Sequence, residues 1–209
     1  MIKYISGNLA FCARRHVRFT LLCDEAARVK YIVGKFNMKS KKIVRCAVIA
    51  AIYAVISLVL APISYGPVQA RVSEALTLLP IFTPDAIIGV TLGCFITNLI
   101  GVFTGANILG VLDIFLGTVA TFAAALCTRA LRNVVVKKLP VASVLPPILF
   151  NALVVGAELW RVIGPHTLSA FLIEALWVGV GEALSCVVLG FILVRAIEST
   201  PVLKKWFEE

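Results

Sequence analysis

The sequence has few charged residues and lacks the motifs of nucleotide-using and hydrolytic enzymes. Only 15% of its 209 residues are charged, whereas soluble domains carry about 25%. Gly34-Lys35 is not a Walker A motif, because the upstream glycine and the following Ser or Thr are missing. G-x-S-x-G and H-E-x-x-H motifs are absent. We therefore predict that the chain is not an enzyme and that any active transport draws its energy from a partner or an ion gradient.

The sequence also contains no motif that indicates a metal or cofactor site. The 6 cysteines form no C-x-x-C pair, and most lie within or beside apolar runs, where cysteine acts as a small packing residue. The 2 histidines, His16 and His166, are far apart and lack the spacing of metal ligands. We predict neither a metal nor a cofactor.

Apolar residues dominate instead and make up 60% of the chain, against about 45–50% in soluble domains. Their runs are long and continuous rather than alternating, which predicts helices rather than strands. The net charge is +9, and the basic residues cluster between the apolar runs. That distribution indicates membrane topology signals and contacts with anionic lipid, not nucleic-acid binding. The fold class predicted is an all-α integral membrane protein.

Residues 1–37 differ from the remainder. Basic residues interrupt every apolar stretch there, so no signal-peptide core forms. The segment is either a basic amphipathic stretch on the membrane surface or not part of the natural protein. Met38 precedes Lys39-Ser-Lys-Lys42 and is a plausible start. We predict a basic N-terminal extension over 1–37 and a membrane domain over 38–209.

Hydropathy and proline positions predict six helices in the membrane domain. The run Ala75–Gly101 is interrupted at Thr83-Pro84-Asp85, because proline disfavours helical geometry in the preceding residue and suits a new first turn. Pro146-Pro147 should kink the early part of the fifth helix. The predicted bounds are about Ile43–Ala61, two helices within Ala75–Gly101, Ala106–Arg129, Leu139–Ile163 and Thr167–Ile197.

The distribution of positive charges indicates whether the run Ala75–Gly101 crosses the membrane once or twice. Basic clusters precede the first helix, separate the fourth from the fifth and follow the sixth. All three lie on the cytoplasmic side only if Ala75–Gly101 crosses twice. The second helix is then short, about 18 Å for 12 residues, and must be shielded by its neighbours. Both termini are predicted to be cytoplasmic in a multi-pass cell-membrane protein.

Ionisable residues inside apolar helices are functional candidates. With six helices, polar residues from several segments converge on the outer half of the bundle, together with the connector from Ser64 to Pro80. That connector is either a lid over a site or an interfacial anchor. The predicted substrate-binding residues are Arg71, Glu74, Asn98, Glu158, Glu174, Trp177 and Glu182, with Gln69, Asn107 and Asp113 on the same side.

Simpler interpretations remain open for some of these residues. Glu158 and Arg161 are three apart and could pair on one helix face. Asn151 shares a face with Glu158 and could only bridge helices. Trp177 could stack on a flat ligand or simply pack. Asp85, at the start of the third helix, is predicted to be a capping residue.

Small residues form a stripe on the first helix. Ala47 and Ala51 define one register, and Ala50 and Ala54 define a second. Such a stripe permits close approach of another helix, either within this chain or from a partner.

Several motifs resemble the QueT family. They are Arg71-Val-Ser-Glu-Ala-Leu-Thr-Leu-Leu-Pro80, Asn98, Gly-Ala-Glu-Leu at 156–159 and Gly-Val-Gly-Glu at 179–182. The resemblance covers about Met38–Glu198. It implies a six-transmembrane-helix S component of an energy-coupling factor (ECF) transporter, which captures a queuosine precursor from outside. The implied partners are a T component, docked on the alanine stripe, and two ATPase subunits.

The chemistry of the candidate residues agrees with that ligand class. A deazaguanine base presents two adjacent N–H donors and a carbonyl acceptor, which a carboxylate and an Asn or Arg can satisfy. A cationic aminomethyl arm would favour a second carboxylate. The alternatives are an S component for another vitamin or a pterin-like heterocycle, and a stand-alone secondary carrier, which internal repeats would favour.

Overall fold

The structure, a computed structural model, describes residues 40–64, 71–136, 139–163 and 165–208. The predicted extension 1–37 and Gln69 lie outside these residues. Within these described ranges, five helices are long and apolar enough to cross a membrane. They are α1 (Ser40–Val59), α2 (Asp85–Phe103), α3 (Val111–Ala130), α4 (Leu145–Val162, after a 3-10 turn at Val141–Val144) and α5 (Leu168–Ser199), and a short amphipathic helix, α6 (Pro201–Glu208), follows.

The predicted second helix is a 3-10 helix, Val72–Ile81. It ends before Pro84, and α2 begins at Asp85, so the predicted interruption of the apolar run is confirmed. Its 10 residues span about 20 Å, because a 3-10 helix rises about 2.0 Å per residue. That length is less than the thickness of a bilayer core, about 30 Å. The count of six membrane-crossing helices therefore stays a prediction.

Neighbouring helices surround this 3-10 helix. Every residue from Ser73 to Pro80 is buried, and the helix packs against α2, α3 and the second half of α5. The predicted shielding is confirmed. The lid interpretation is wrong for Val72–Pro80, because this stretch lies in the centre of the bundle, where its backbone is protected from lipid.

Two glycines bring α1 and α2 into close contact. A Cβ atom at Gly89 would lie 2.8 Å from Cβ of Ile49, and one at Gly93 would lie 2.7 Å from Cβ of Tyr53. Gly89 and Gly93 are four residues apart, the spacing that lets helix backbones approach in membranes. The close approach fixes Tyr53 in the interior, where it is 1% exposed.

The last two long helices carry local irregularities. Pro146 and Pro147 occupy the first turn of α4, where proline is tolerated, so the predicted kink is wrong. Helix α5 contains a π-helical stretch, Leu184–Leu189. This stretch begins two residues after Glu182, and such insertions are frequent at functional sites.

A separate polar contact joins α1 to the start of α2. The Arg45 guanidinium lies 3.0 Å from Asp85 Oδ2 and donates to Thr83 Oγ1 at 3.1 Å. It also lies over the ring of Trp206 in α6, 5.6 Å from the centroid. Asp85 is the acidic residue in the first turn of α2, directly after the N-cap residue Pro84. It is the ion-pair partner of Arg45, and its capping role stays a prediction.

Candidate functional site

Buried polar side chains gather away from the Arg45–Asp85 pair, at the level of Arg71, the C-terminal half of α2 and the N-terminal half of α3. They come from α1, the start of the 3-10 helix, α2, the loop between α2 and α3, α3, α4 and α5, and all are buried. We call this group the polar cluster. Its members are Tyr53, Arg71, Glu74, Asn98, Asn107, Asp113, Asn151, Glu158 and Glu182.

Asp113 organises one end of the polar cluster. Its Oδ2 atom lies 3.0 Å from the Arg71 guanidinium and accepts a hydrogen bond from Asn107 Nδ2 at 2.8 Å. The Asn98 side chain donates to the Asp113 backbone carbonyl at 2.9 Å. The ion pair is buried, with Arg71 4% and Asp113 0% exposed. Buried ion pairs of this kind fix geometry rather than add much stability.

Gly117 provides the space for this arrangement. It lies one turn after Asp113 on α3, and a Cβ atom there would overlap Asp113 Oδ1 and lie 3.0 Å from Asn98 Nδ2. Any larger residue would displace the carboxylate. A glycine is therefore needed here for close approach, not for backbone flexibility.

Glu158 faces the same end from α4. It is 3% exposed, and its nearest charged neighbours are Asp113 and Arg71. Neither of its carboxylate oxygens makes a hydrogen bond of good geometry within the described part of the chain, although its carboxyl group faces that of Asp113. Arg161 is exposed, so the interpretation that Glu158 and Arg161 pair on one helix face is wrong.

The other end of the polar cluster lies deeper. The Tyr53 hydroxyl donates to Glu74 Oε1, and Glu74 is 0% exposed. Asn151 neighbours both Glu74 and Glu182, so it sits between the 3-10 helix and α5. The Cys186 thiol, in the π-helical stretch, lies 4.0 Å from Glu182 Oε2.

The polar cluster has more acceptors than donors to satisfy them. Among the described residues, Glu74 Oε2, Asp113 Oδ1, both Glu158 oxygens and Asn151 Nδ2 make no hydrogen bond of good geometry. Asn151 nevertheless faces Glu74 and Glu182, and Glu158 faces Asp113. Each such buried group costs about 1–3 kcal/mol or more when unsatisfied, so the arrangement is suited to a small molecule rich in N–H donors.

A protein-family model described as the QueT transporter matches residues 43–199. The chain belongs to the QueT transporter family. That confirms the resemblance, and the family is one of transporters rather than enzymes, as predicted. One relative, the "Queuosine precursor transporter QueT" of Lactococcus lactis subsp. cremoris (strain MG1363), is 41% identical over 73 residues, which are 34% of this chain and 43% of the relative. The match thus spans less than half of that relative's length, and no solved structure matches the chain.

The structure of this QueT family member brings five of the predicted site residues into the polar cluster: Arg71, Glu74, Asn98, Glu158 and Glu182. It does not bring in the other two. Glu174 is partly buried on α5, and Trp177 is 49% exposed on the outer surface. The exposure of Trp177 favours the alternative that it packs at the bundle surface and gives no support to ring stacking.

The two alanine registers on α1 differ in how far their side chains are buried. Ala50 and Ala54 are 5% and 7% exposed, and Ala50 faces α2, where its carbonyl would lie 3.1 Å from a Cβ at Gly93. The second register, Ala50 and Ala54, therefore packs inside this chain and is not available to a partner. Ala47 and Ala51 are exposed and stay the predicted docking pair.

Sequence reasoning did not assign Tyr53 to the site, and it assigned Asn151 only to helix bridging. Tyrosine and asparagine are tolerated in membrane helices as packing and hydrogen-bonding residues, so neither attracts notice. The available signal was spacing: Asn151 precedes Glu158 by seven residues and therefore shares its helix face.

Proposed function

We propose that this QueT family member is the substrate-binding S component of an ECF importer and captures a queuosine precursor at the polar cluster. One observation carries the proposal. Among the described residues, the buried polar cluster of this transporter-family chain has four carboxylate oxygens and one amide donor that make no hydrogen bond of good geometry. The relative from L. lactis is described as a queuosine precursor transporter, which supplies the ligand class.

The deeper end of the polar cluster complements a deazaguanine edge. Such an edge offers two adjacent N–H donors beside a carbonyl. Glu74 Oε2 and Asn151 Nδ2 face each other without a hydrogen bond of good geometry to any described side chain, and Glu182 adds a second carboxylate nearby. A base held by Glu74, Asn151 and Glu182 would satisfy groups that are costly to bury alone.

Assembly with a coupling module is the second part of the proposal. The sequence has no Walker A motif, so ATP-driven uptake requires a separate ATPase pair and a T component. Ala47 and Ala51 lie on the exposed face of α1, where small side chains allow a partner helix to approach closely. This pair is the proposed contact with the T component.

Orientation completes the proposal: the polar cluster lies towards the outside and both termini lie in the cytoplasm. Thr104 is exposed just after the C-terminal end of α2, and Arg132 is exposed just after the C-terminal end of α3, so the two lie at opposite ends of the bundle. In a cysteine-free background, Thr104→Cys should react with an impermeant maleimide on intact cells, whereas Arg132→Cys should react only after permeabilisation. The reverse pattern would overturn the orientation.

Purification of the full chain followed by mass spectrometry of bound heterocycles tests the ligand class. A deazaguanine precursor is the expected result. A pterin or another vitamin would instead support the alternative S component. Uptake of labelled precursor should require co-expression of the T component and ATPases, and uptake by this chain alone would support a stand-alone carrier.

A further inference from the structure

The short helix α6 takes a new direction after α5. Thr200, between the two helices, has an extended backbone with φ −107° and ψ 104°, so α6 does not continue the axis of α5. Pro201 occupies the first position of α6, where its fixed φ suits the start of a helix. The chain therefore turns sharply where α5 leaves the bundle.

The C-terminal part of α6 packs against the end of the bundle where α1 and α2 begin. Phe207 is 7% exposed, and its ring centroid lies 5.9 Å from that of Phe82. The Phe207 carbonyl accepts a hydrogen bond from Arg45 Nη1 at 3.4 Å. The Arg45 guanidinium also lies over the Trp206 ring. Phe207 and Trp206 therefore define the side of α6 that faces the bundle.

Leu203 points in the same direction as these two rings but is not covered by the bundle. On an ideal helix it lies between them, about 40° from Phe207 and about 60° from Trp206. Phe207 is buried and Trp206 is half-buried, whereas Leu203 is 42% exposed. The bundle thus covers the C-terminal part of this apolar face and leaves its N-terminal part open.

Lysines occupy the opposite side of α6. Lys204 and Lys205 lie about 110° and about 150° from the direction midway between Trp206 and Phe207, and both are exposed. One apolar face and one lysine-bearing face are typical of a helix that lies in the plane of a membrane surface.

The apolar surface of α1 extends to the level of α6. Ile43 and Val44 directly precede Arg45 and are 68% and 55% exposed, and α1 is long and apolar enough to cross a membrane. Apolar side chains on such a helix face lipid. The bilayer therefore reaches the level at which Arg45 contacts α6, and lipid is available to cover Leu203.

We propose that α6 is an interfacial membrane helix, with Leu203 inserted among the lipids at this end of the bundle and Lys204 and Lys205 directed towards headgroups and water. Trp206 then lies at headgroup level, where membrane proteins are enriched in tryptophan. Lipid on one part of the apolar face and the bundle on the other hold α6 flat, which keeps Trp206 over the Arg45 guanidinium. The proposal concerns the membrane and is independent of the ligand.

Spin labelling of the full chain in phosphatidylcholine–phosphatidylglycerol proteoliposomes tests this placement. In a cysteine-free background, a nitroxide is attached at Leu203→Cys and, as the matched control, at Lys205→Cys on the other side of α6. Ile192→Cys, at an exposed apolar position of α5, is the lipid reference. Power saturation compares collisions with oxygen, which concentrates in the bilayer, and with a water-soluble nickel chelate. The nitroxides at 203 and 192 should favour oxygen, and that at 205 the chelate. Preference for the chelate at both 203 and 205 would overturn the proposal.

Tryptophan fluorescence provides a second measurement in a protein that keeps its natural cysteines. The chain has 3 tryptophans, so Trp160→Phe with Trp177→Phe leaves emission from Trp206 alone. Adding Leu203→Asp should release α6 from the bilayer, shift the emission to longer wavelength and increase its quenching by iodide. Adding Lys205→Asp, which places the same residue on the water side, should leave the emission unchanged. The same emission with and without Leu203→Asp would contradict the proposal.

Discussion

Asp113 connects several members of the polar cluster. It holds Arg71 and Asn107 through one oxygen and receives Asn98 at its backbone carbonyl. Its second oxygen lies over Gly117 without a hydrogen-bond partner among the described atoms. The ligand-facing geometry of this end therefore depends on a glycine that bears no functional group.

Gly117→Ala should destabilise the protein by about 1–3 kcal/mol, the usual cost of inserting a methyl group into a packed interior, and it should also weaken ligand binding. The new Cβ would overlap Asp113 Oδ1, and the other Asp113 oxygen is held by Arg71 and Asn107, so the carboxylate has little freedom to move. Titration calorimetry measures the effect. Gly179→Ala is the control, since its Cβ would lie 3.4 Å from Ala152 in ordinary contact. Wild-type affinity in Gly117→Ala would show that Asp113 can shift without consequence.

Charged residues of the site were predictable from sequence, and its uncharged residues were not. A Glu or Arg in an apolar run is unusual enough to indicate function, which singled out Glu158 and Glu182. Tyr53 and Asn151 are ordinary in such helices. The orientation of Trp177 depends on how the helix is rotated about its axis. Trp177 lies about 140° from Glu182 on an ideal helix, so the indole points outward when Glu182 is buried.

At the scale of whole elements, the 3-10 helix and the α1–α2 contact hold the deep end of the site. Glu74 lies in the first turn of the 3-10 helix, and its partner Tyr53 is positioned by Gly93 of α2. Arg129 of α3 donates to the Pro80 carbonyl at 2.8 Å, which helps to satisfy the far end of the 3-10 helix.

Gly93→Ala should destabilise the protein and weaken binding. Its Cβ would lie 2.7 Å from Tyr53 Cβ and 3.1 Å from the Ala50 carbonyl, so α1 and α2 must separate, at a cost of about 1–3 kcal/mol. Thermal unfolding in detergent should show a lower midpoint than in the wild type. Gly179→Ala should match or exceed the wild type, because Ala favours a helix by about 1 kcal/mol over Gly. Equal midpoints in the two variants would contradict the close contact.

Ala51→Trp should abolish assembly with a T component and uptake, because an indole at the exposed stripe blocks close helix approach. Ligand binding by the isolated chain should persist, since Ala51 faces away from the polar cluster. Co-purification with co-expressed T component and ATPases measures assembly. Ala196→Trp, exposed on α5, controls for bulk at the surface. If the Ala51→Trp protein assembles normally, the alanine stripe is not the docking face.

Hydropathy and proline positions predicted the order of the helices, but not every helix type. The break before Asp85 followed from Pro84, whereas a 3-10 geometry over Val72–Ile81 depends on the surrounding helices that bury it. Pro146 and Pro147 fall in the first turn because α4 begins at Leu145, a boundary that the continuous apolar run from 139 did not mark.

At the scale of the whole molecule, most acidic residues of the described helices are internal. Glu74, Asp113, Glu158 and Glu182 are buried in the polar cluster and Asp85 is buried in the Arg45–Asp85 pair, whereas Glu174 is partly buried and Glu198 is exposed. The family match covers residues 43–199, and the proposed binding function needs only residues inside that range.

A chain of residues 38–209 should therefore insert into the membrane and bind ligand as the full chain does. The segment 1–37 has no spanning apolar run and supplies no member of the polar cluster. Membrane fractionation and titration calorimetry on the truncated and full chains provide the comparison. Loss of insertion or of binding on truncation would show that the segment belongs to the functional protein.

The central claim is that the buried carboxylates of the polar cluster hold the ligand. Its most direct test is the affinity of purified Glu182→Gln for a deazaguanine queuosine precursor, compared with the wild type and with Glu198→Gln, an exposed position on the same helix. Glu182→Gln should bind more weakly by about 1.5–3 kcal/mol, the range for hydrogen bonds to charged groups, while Glu198→Gln should match the wild type. Unchanged affinity in a folded Glu182→Gln protein would contradict the account.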